Sequence, residues 1–568
     1  MWVTRLLSLL LPLGIWLVQL GATPGNSITR QLIHDLLVIS LSTLAFFTLG
    51  FGLLCGNLGT LYSQPELAHF TASLSVPVNG QNWNLLGLTG FGITSLSSQT
   101  ALQLCITFLP LALSSALLVN NLFSTYLVSR TVSNATTVPQ SVFILITAVL
   151  VAGILFPIAA FWLYGGGWLA KLGSNLNYGH GAIDVNGIST AALVAGGAGV
   201  AWLMMAPRQP ATDQPELPQS HVAWLSRFGT VCIVMGAVFT SVGNPFVFAL
   251  DNPNRTEALI TLLIASGMAA MVAFIYTYLV EGRPNVNILA RAILAAVVAT
   301  SAGNSLLPNW TAGLLGLCAG LLVTLGLYMT NEVLGLADDT GILTSVALPA
   351  LFGSVALGLF ANGTLGQGLN GIGSANYLGV DGLGVVGMFS SVDVPGDVGQ
   401  LTAQLVAAVT IPGLTLVAIA PIAWFMHVRL VVQQAERPTL QAPAPVIARP
   451  SLTPLAPDTL LSHITGIEFE TRAPLPYVTQ EQPYRSSMQG TTPEDKPPSK
   501  TPIAGVPVHR ETLLERLRRT RGTRPEADAS TKVRHAAAPF RVGGRRLSVR
   551  PMQSTKNKNA AEGGKPAN

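Results

Sequence analysis

Charged residues are scarce in this chain of 568 residues, since Asp, Glu, Lys and Arg together make up only 10%. A soluble globular protein carries about 25% charged residues, so the scarcity argues against that class. The four cysteines include no CxxC pair and no Cys/His cluster with metal-ligand spacing; they are Cys55, Cys105, Cys232 and Cys318. We therefore predict four buried apolar thiols, and neither a metal ion nor a cofactor.

Catalytic motifs are also missing. No nucleophile–base pair or metal cluster stands in or beside the apolar segments. The GGRR stretch at 543–546 lacks the lysine and the strand–helix context of a phosphate-binding loop. The sequence therefore predicts that the protein is not an enzyme.

Apolar residues account for 49% of the chain and gather in runs of the length that crosses a bilayer. These runs predict an all-α integral membrane protein with about eleven transmembrane helices. The predicted spans are 4–22, 33–55, 97–121, 139–164, 187–206, 224–245, 257–281, 287–307, 309–330, 341–362 and 401–428. The first run also has the length of a signal peptide, and we favour a retained span for residues 1–22.

The charges divide sharply along the chain. Residues 1–428 hold 9 Lys+Arg and 14 Asp+Glu, a net of −5, whereas residues 429–568 hold 22 and 12, a net of +10. The basic character belongs to the C-terminal segment, so it does not indicate nucleic-acid binding by the whole chain. We predict a membrane domain at 1–430 and a basic, Pro-rich, largely disordered cytoplasmic tail at 431–568.

Lys and Arg also set the predicted orientation. With the N-terminus outside, the outer loops 56–96 and 363–400 contain no Lys or Arg. Outer segments then hold only Arg5, Lys171 and Arg255, and cytoplasmic connections hold Arg30, Arg130, Arg208, Arg227, Arg283 and Arg291. The bias predicts a multi-pass protein of the cell membrane or an internal membrane, with its C-terminus in the cytoplasm.

One part of the tail, near 510–520, has a helical pattern. Leu513, Leu514 and Leu517 share a face, and Glu515 stands four residues before Arg519. We predict a short basic helix there that binds an anionic membrane surface or an acidic protein partner. A transient helix in a solvated tail is the alternative.

Residues 156–208 resemble the ammonium transporter/Rhesus superfamily. They read FPIAAFWLYGGGWLAKLGSNLNYGHGAIDVNGISTAALVAGGAGVAWLMMAPR, with an aromatic-GGG-W-L-A loop followed by G-A-x-D-x-x-G. Weaker similarities follow in the same order over about residues 5–430: LGFGLLCGN (49–57), LQLCITFLPLALSSALL (102–118), GAVFTSVGN (236–244), DDTGILTSVALPALFGSVALGLFA (338–361) and GQLTAQL (399–405). The resemblance implies two inverted five-helix halves plus a final helix, one pore per subunit, and a homotrimer.

The resemblance also implies which residues line the pore. The outer cation site falls on Tyr164 and Asn244, and the acidic residue that supports it falls on Asp184. Asp184 is equally suited to cap the helix that follows. The family's gate phenylalanines fall near Cys105/Ile106 and on Thr240, with Phe108 or Phe239 as substitutes in another register.

The twin pore histidines of the family are replaced here. The first falls on Ala192 and the second on Val346, so a histidine relay is not available. Two hypotheses follow: a transporter or channel for ammonium, ammonia or a related small solute, or a non-conducting relative. The latter would act as a sensor, scaffold or assembly subunit through its basic tail.

Overall fold

The computed structural model describes residues 2–25, 27–61, 67–92, 99–130, 138–205, 217–243, 255–336, 338–390 and 394–435. The predicted tail helix near 510–520 lies outside these ranges, and so does Asn244.

Within the described ranges, ten helices are long and apolar enough to span a membrane, and one shorter apolar helix accompanies them. In chain order they are α1 (Val3–Ala22), α2 (Ile28–Leu61), α3 (Gln99–Ser124), α4 (Val142–Tyr164), α5 (Ile188–Met205), α6 (Ala223–Gly243), α7 (Thr256–Glu281), α8 (Val286–Ser301), α9 (Asn309–Asn331), α10 (Ile342–Phe360) and α11 (Val398–Val428). This is the predicted all-α membrane architecture.

Helix α8 is the main departure from the predicted spans. It ends at Ser301 rather than near residue 307, because the chain turns at Gly303, whose N–H bonds to the carbonyl of Thr300 at 3.3 Å. Sixteen residues give a helix of about 24 Å, which is shorter than the hydrocarbon core of about 30 Å. Arg291 also lies inside this helix and is buried, so the prediction that it belongs to a cytoplasmic connection is wrong.

Counted with α8, the ten long helices of the described ranges alternate in direction along the chain. We call the end at which α1 begins the outer end and the opposite end the inner end, after the predicted orientation. Odd-numbered helices then run from outer to inner, and even-numbered helices run back. As a result α5 and α10, which each open after an acidic residue, enter the membrane from opposite ends.

Glycines bring the helices into close contact. A Cβ on Gly236 of α6 would lie 2.1 Å from the backbone nitrogen of Leu11 in α1, so only glycine fits there. The retained first span stays a prediction. At the centre, a Cβ on Gly196 of α5 would lie 2.7 Å from the Cβ of Ala347 in α10, so these two helices cross almost backbone to backbone.

Two outer segments fold over the helix ends. Strands β1 (Ser73–Val78) and β2 (Gln81–Gly87) form an antiparallel hairpin, whose turn at Asn79 and Gly80 has positive φ angles of 52° and 78°. The second segment carries the short strands β3 (Asn376–Tyr377) and β4 (Val380–Asp381). A short helix, Leu172–Leu176, lies between α4 and α5.

Candidate substrate pathway

A cavity of about 410 Å³ opens at the outer end of the helices. Its walls come from the end of α2, the segment between α4 and α5, and the loop after α10. The polar side chains among its lining residues are Thr60, Tyr164, Lys171, Ser174, Asp184 and Asn370. Two of the sequence-predicted site residues, Tyr164 and Asp184, therefore share one cavity.

Tyr164 is fixed at the end of α4 by its hydroxyl and its ring. The hydroxyl donates to the backbone carbonyl of Asp184 at 2.6 Å. The ring packs against Phe108, with 5.4 Å between the centroids. Phe108, named above as a substitute for the gate in another register, is thus the aromatic side chain beside Tyr164.

Asp184 caps the start of α5. Its carboxylate accepts from the backbone N–H of Gly187 at 3.0 Å and from both the N–H and the hydroxyl of Thr190, each at 2.7 Å. Burial raises the pKa of Asp184, and these donors oppose the rise because they favour the charged form. Gly187 has a positive φ of 82°, and a Cβ there would lie 2.5 Å from Leu111.

Asp338 forms a similar cap at the start of α10, in the other half of the molecule. The sequence alone did not lead us to predict this cap. Its carboxylate accepts from Leu343 N–H at 3.2 Å, from Thr344 N–H at 3.0 Å and from the Thr344 hydroxyl at 2.9 Å. The signal was present as DVNGIST (184–190) and DDTGILT (338–344), which share the pattern D-x-x-G-I-x-T. Because α5 and α10 run in opposite directions, the repeat marks the two inverted halves.

The two positions that take the place of the histidines lie near the central crossing. Ala192 is one turn before Gly196 on α5, and Val346 is next to Ala347 on α10. Both are almost completely buried, with exposures of 2% and 1%. Both positions therefore carry small or medium apolar side chains that offer no hydrogen-bonding group.

Thr240, at a predicted gate position, bonds its hydroxyl to the carbonyl of Gly236 at 2.8 Å within its own helix. Its neighbour Ser241 instead joins three elements, since its hydroxyl accepts from Asn186 at 3.0 Å and from Asn304 at 2.9 Å. This polar junction was not foreseen, because single Asn and Ser residues in separate segments carry no recognisable spacing.

Lys171 brings a positive charge to the outer cavity. Its side chain is half-buried, and burial lowers its pKa. The sequence reading counted Lys171 only for orientation, because nothing in the spacing placed it beside Tyr164 and Asp184. A cation that enters this cavity meets both the Tyr164 face and this ammonium group.

A second cavity, of about 450 Å³, opens at the inner end. Residues from α1, α3, α6, α8 and α10 line it, among them Gln19, Asn287, Arg291, Ser345 and Val346. The outer cavity thus reaches Asp184 and Val185 just before α5, and the inner cavity reaches Val346, which is next to the central crossing.

Comparisons with known proteins identify the family. The Ammonium Transporter Family profile matches residues 1–438. Ammonium transporter Amt2 of Archaeoglobus fulgidus is 24% identical over 366 residues, which cover 62% of this chain and 69% of that protein. Ammonium transporter 1 member 3 of Solanum lycopersicum is 28% identical over 190 residues, 31% of this chain and 41% of that protein.

Solved structures share the fold. Mep2 of Saccharomyces cerevisiae superimposes with a TM-score of 0.51 at 17% identity and covers 76% of this chain and 86% of its own. A structure described as a Sensor Amt Protein gives a TM-score of 0.51 at 18% identity, and the match covers 77% of this chain and 92% of that one.

The predicted fold class is confirmed. The relatives support the predicted ammonium transport and do not favour the sensor alternative over it. The chain is an integral multi-pass membrane protein and belongs to the Ammonium Transporter Family.

Proposed function

We propose that the chain moves ammonium nitrogen across its membrane along a path from the outer cavity, past Ala192 and Val346, to the inner cavity. One observation carries the proposal: cavities of about 410 and 450 Å³ open at opposite ends of the helices, and the inner one reaches Val346 beside the crossing of α5 and α10. Small side chains at the crossing leave room for a small solute when the neighbouring side chains move.

The outer cavity supplies recruitment. The Tyr164 ring offers a cation–π face, and the Asp184 cap holds the start of α5 and the nearby backbone carbonyl in place. These roles for Tyr164, Asp184 and Thr240 are proposals from geometry and resemblance, and Asn244 keeps its predicted role as a cation acceptor. The Asp184 carboxylate acts through the backbone, because its oxygens are occupied by Gly187 and Thr190.

The middle of the path supports passage of an uncharged species more readily than a cation. A bare charge at mid-bilayer is costly, and Ala192 and Val346 offer no hydrogen-bond acceptor to it. Neither residue can take or give a proton, so proton exchange belongs to the wet cavities at either end.

Assembly and orientation belong to the same proposal. We propose a homotrimer with the N-terminus outside and the C-terminus in the cytoplasm, supported by the resemblance and the Lys/Arg bias. The domain division at residue 430 and the tail's binding to an anionic surface or acidic partner stay predictions. No enzymatic activity is proposed.

An ammonium pulse applied to proteoliposomes, with internal pH recorded, tests the proposed path. We expect Ala192→Leu to abolish the signal, because Ala192 is 2% exposed and the added carbons fill the passage. Val346→Ala is the opposite control and should keep or raise the rate. Overpacking costs about 1–3 kcal/mol, so the oligomeric state of each variant is checked by size-exclusion chromatography. A folded Ala192→Leu protein that conducts like wild type would place the path elsewhere.

A further inference from the structure

Arg5 joins three helices at the outer end of the molecule. It lies in the first turns of α1 and is 6% exposed. Its Nε donates to the backbone carbonyl of Gly243, the last residue of α6, at 3.2 Å. One of its terminal nitrogens, Nη1, donates to the side-chain oxygen of Gln103 in α3 at 2.5 Å. A single guanidinium therefore bridges α3 and α6 from α1.

The same three helices line the inner cavity at the opposite end. The wall of that cavity includes Ile15 of α1, Leu118 of α3 and Ile233 of α6. Ile233 precedes Gly243 by ten residues of α6, which is about 15 Å of helix. The Arg5 bridge therefore lies across the outer end of the groove between α1, α3 and α6, and the inner cavity lies at the inner end of that groove.

Two of the three helices leave no space between them. A Cβ on Gly14 of α1 would lie 2.5 Å from the backbone nitrogen of Ile233 in α6, so α1 and α6 pack backbone to backbone. A solute that follows the groove must therefore pass between α3 and this helix pair. The hydrogen bond from Arg5 to Gln103 connects α3 to the pair at the outer end of this route.

The bridge lies beside the positions at which the sequence predicts a gate. Gln103 is two residues before Cys105, and Gly243 is three residues after Thr240. The Cys105 and Thr240 side chains are both short, and the Thr240 hydroxyl bonds within its own helix. The long side chain of Arg5 bonds instead to both helices at this level.

We propose that Arg5 seals the outer end of this groove and keeps amines larger than ammonium out of the inner cavity. The planar guanidinium presents its donors in a fixed fork, so it holds acceptors on two helices at once. The Gly243 carbonyl carries partial negative charge at the C-terminus of α6, which strengthens its bond to the cation. This inference rests on the proposed function and names Arg5 as a residue that determines specificity.

The bond to Gly243 would also serve a simpler role, as a cap for the end of α6. The bond to Gln103 adds nothing to such a cap. Variants that break only the second bond therefore separate the seal from the cap. Gln103→Ala removes the second acceptor, and Arg5→Lys keeps the charge beside Gly243 but loses the fork.

Uptake of isotope-labelled ammonium and dimethylammonium by proteoliposomes of the full chain tests the seal. We expect Gln103→Ala and Arg5→Lys each to raise the ratio of dimethylammonium to ammonium uptake by about tenfold, the lower end of the discrimination that one methylene supports. Arg5→Ala, which removes both bonds, should raise the ratio at least as far. Gln99→Ala is the matched control, because Gln99 is exposed one turn earlier on α3 and should keep the wild-type ratio.

Size-exclusion chromatography shows whether each variant keeps the oligomeric state of wild type. A wild-type ratio in both Gln103→Ala and Arg5→Lys would leave Arg5 as a cap for α6 and overturn the seal. If Arg5→Ala does not fold, these two variants decide alone. A wild type that moves no ammonium overturns the proposed function. Dimethylammonium uptake gained by the variants would then still support the seal, and its absence would overturn the seal as well.

Discussion

Replacement of Asp184 by Asn tests whether the carboxylate is needed to start α5. The carboxylate accepts three hydrogen bonds, from Gly187 N–H, Thr190 N–H and the Thr190 hydroxyl. Asn offers one oxygen and one NH₂ group, so at least one donor faces another donor. An unpaired buried donor costs about 1–3 kcal/mol, and the lost charge at a helix N-terminus adds about 0.3–1 kcal/mol.

The expected loss of unfolding free energy is therefore about 1–4 kcal/mol. It is measured by denaturant-induced unfolding in detergent, with helix content read by circular dichroism. Asp338→Asn is the matched control, because Asp338 also accepts three hydrogen bonds at a helix start, from Leu343 N–H, Thr344 N–H and the Thr344 hydroxyl. Asp184 lines the outer cavity and is 6% exposed, whereas Asp338 is 0% exposed. Water should therefore accept from the unpaired donor more readily in the Asp184 variant, and its loss of unfolding free energy should be the smaller of the two.

The pair of variants makes the reasoning refutable. An Asp184→Asn protein as stable as wild type would show that the cap contributes little. A larger loss for Asp184→Asn than for Asp338→Asn would contradict the ranking by water access. If the Asp184 variant transports normally at full folding, the carboxylate serves only as a cap and not in recruitment.

Two further perturbations concern the outer end. Lys171→Gln should lower the ammonium concentration that gives the half-maximal transport rate by about fivefold, because a unit charge 4 Å away is worth about 1 kcal/mol in water. Transport rates measured at low and high salt check this prediction, since salt should remove the difference between the variant and wild type. His180 lies in the segment between α4 and α5 and is fully buried, and burial lowers its pKa to about 4, below the usual 6.5. Because the unfolded chain takes up a proton at this residue more readily than the folded chain, the free energy of unfolding should fall by about 3 kcal/mol as pH drops from 6.5 to 4. Unfolding followed against pH, with His180→Phe as a variant free of this dependence, provides the measurement.

Hydropathy and order along the chain were sufficient to predict the fold, because each apolar run satisfies its backbone internally as a helix. The position of Asp184 before α5 was likewise readable, since Asp followed by Gly at a helix start has a local meaning. Asp338 had the same local pattern, but its role was not predicted; in the structure its carboxylate accepts from the N–H and hydroxyl of Thr344, as that of Asp184 accepts from Thr190.

Contacts between distant segments could not be predicted. Arg291 was counted by charge alone, and its burial depends on Asn287 and on the chain near Asp339, which lies 48 residues away. Asp35 was passed over in an apolar run, yet it accepts hydrogen bonds from Trp16 and Asn120 at 2.9 and 2.5 Å. Such networks are fixed by tertiary packing, and one sequence holds no periodic signal for them.

The close crossing of α5 and α10 has a consequence for how the width of the proposed passage can change. Gly196 and Ala347 leave no gap between the two backbones, so the helices cannot move closer, and separating them would expose a large buried contact. Along the proposed path, the width of the passage therefore depends on two side chains: Ala192, one turn from Gly196, and Val346, next to Ala347. Substitutions at these two positions could therefore widen, narrow or close the proposed passage one methylene at a time, without changing how the surrounding helices pack.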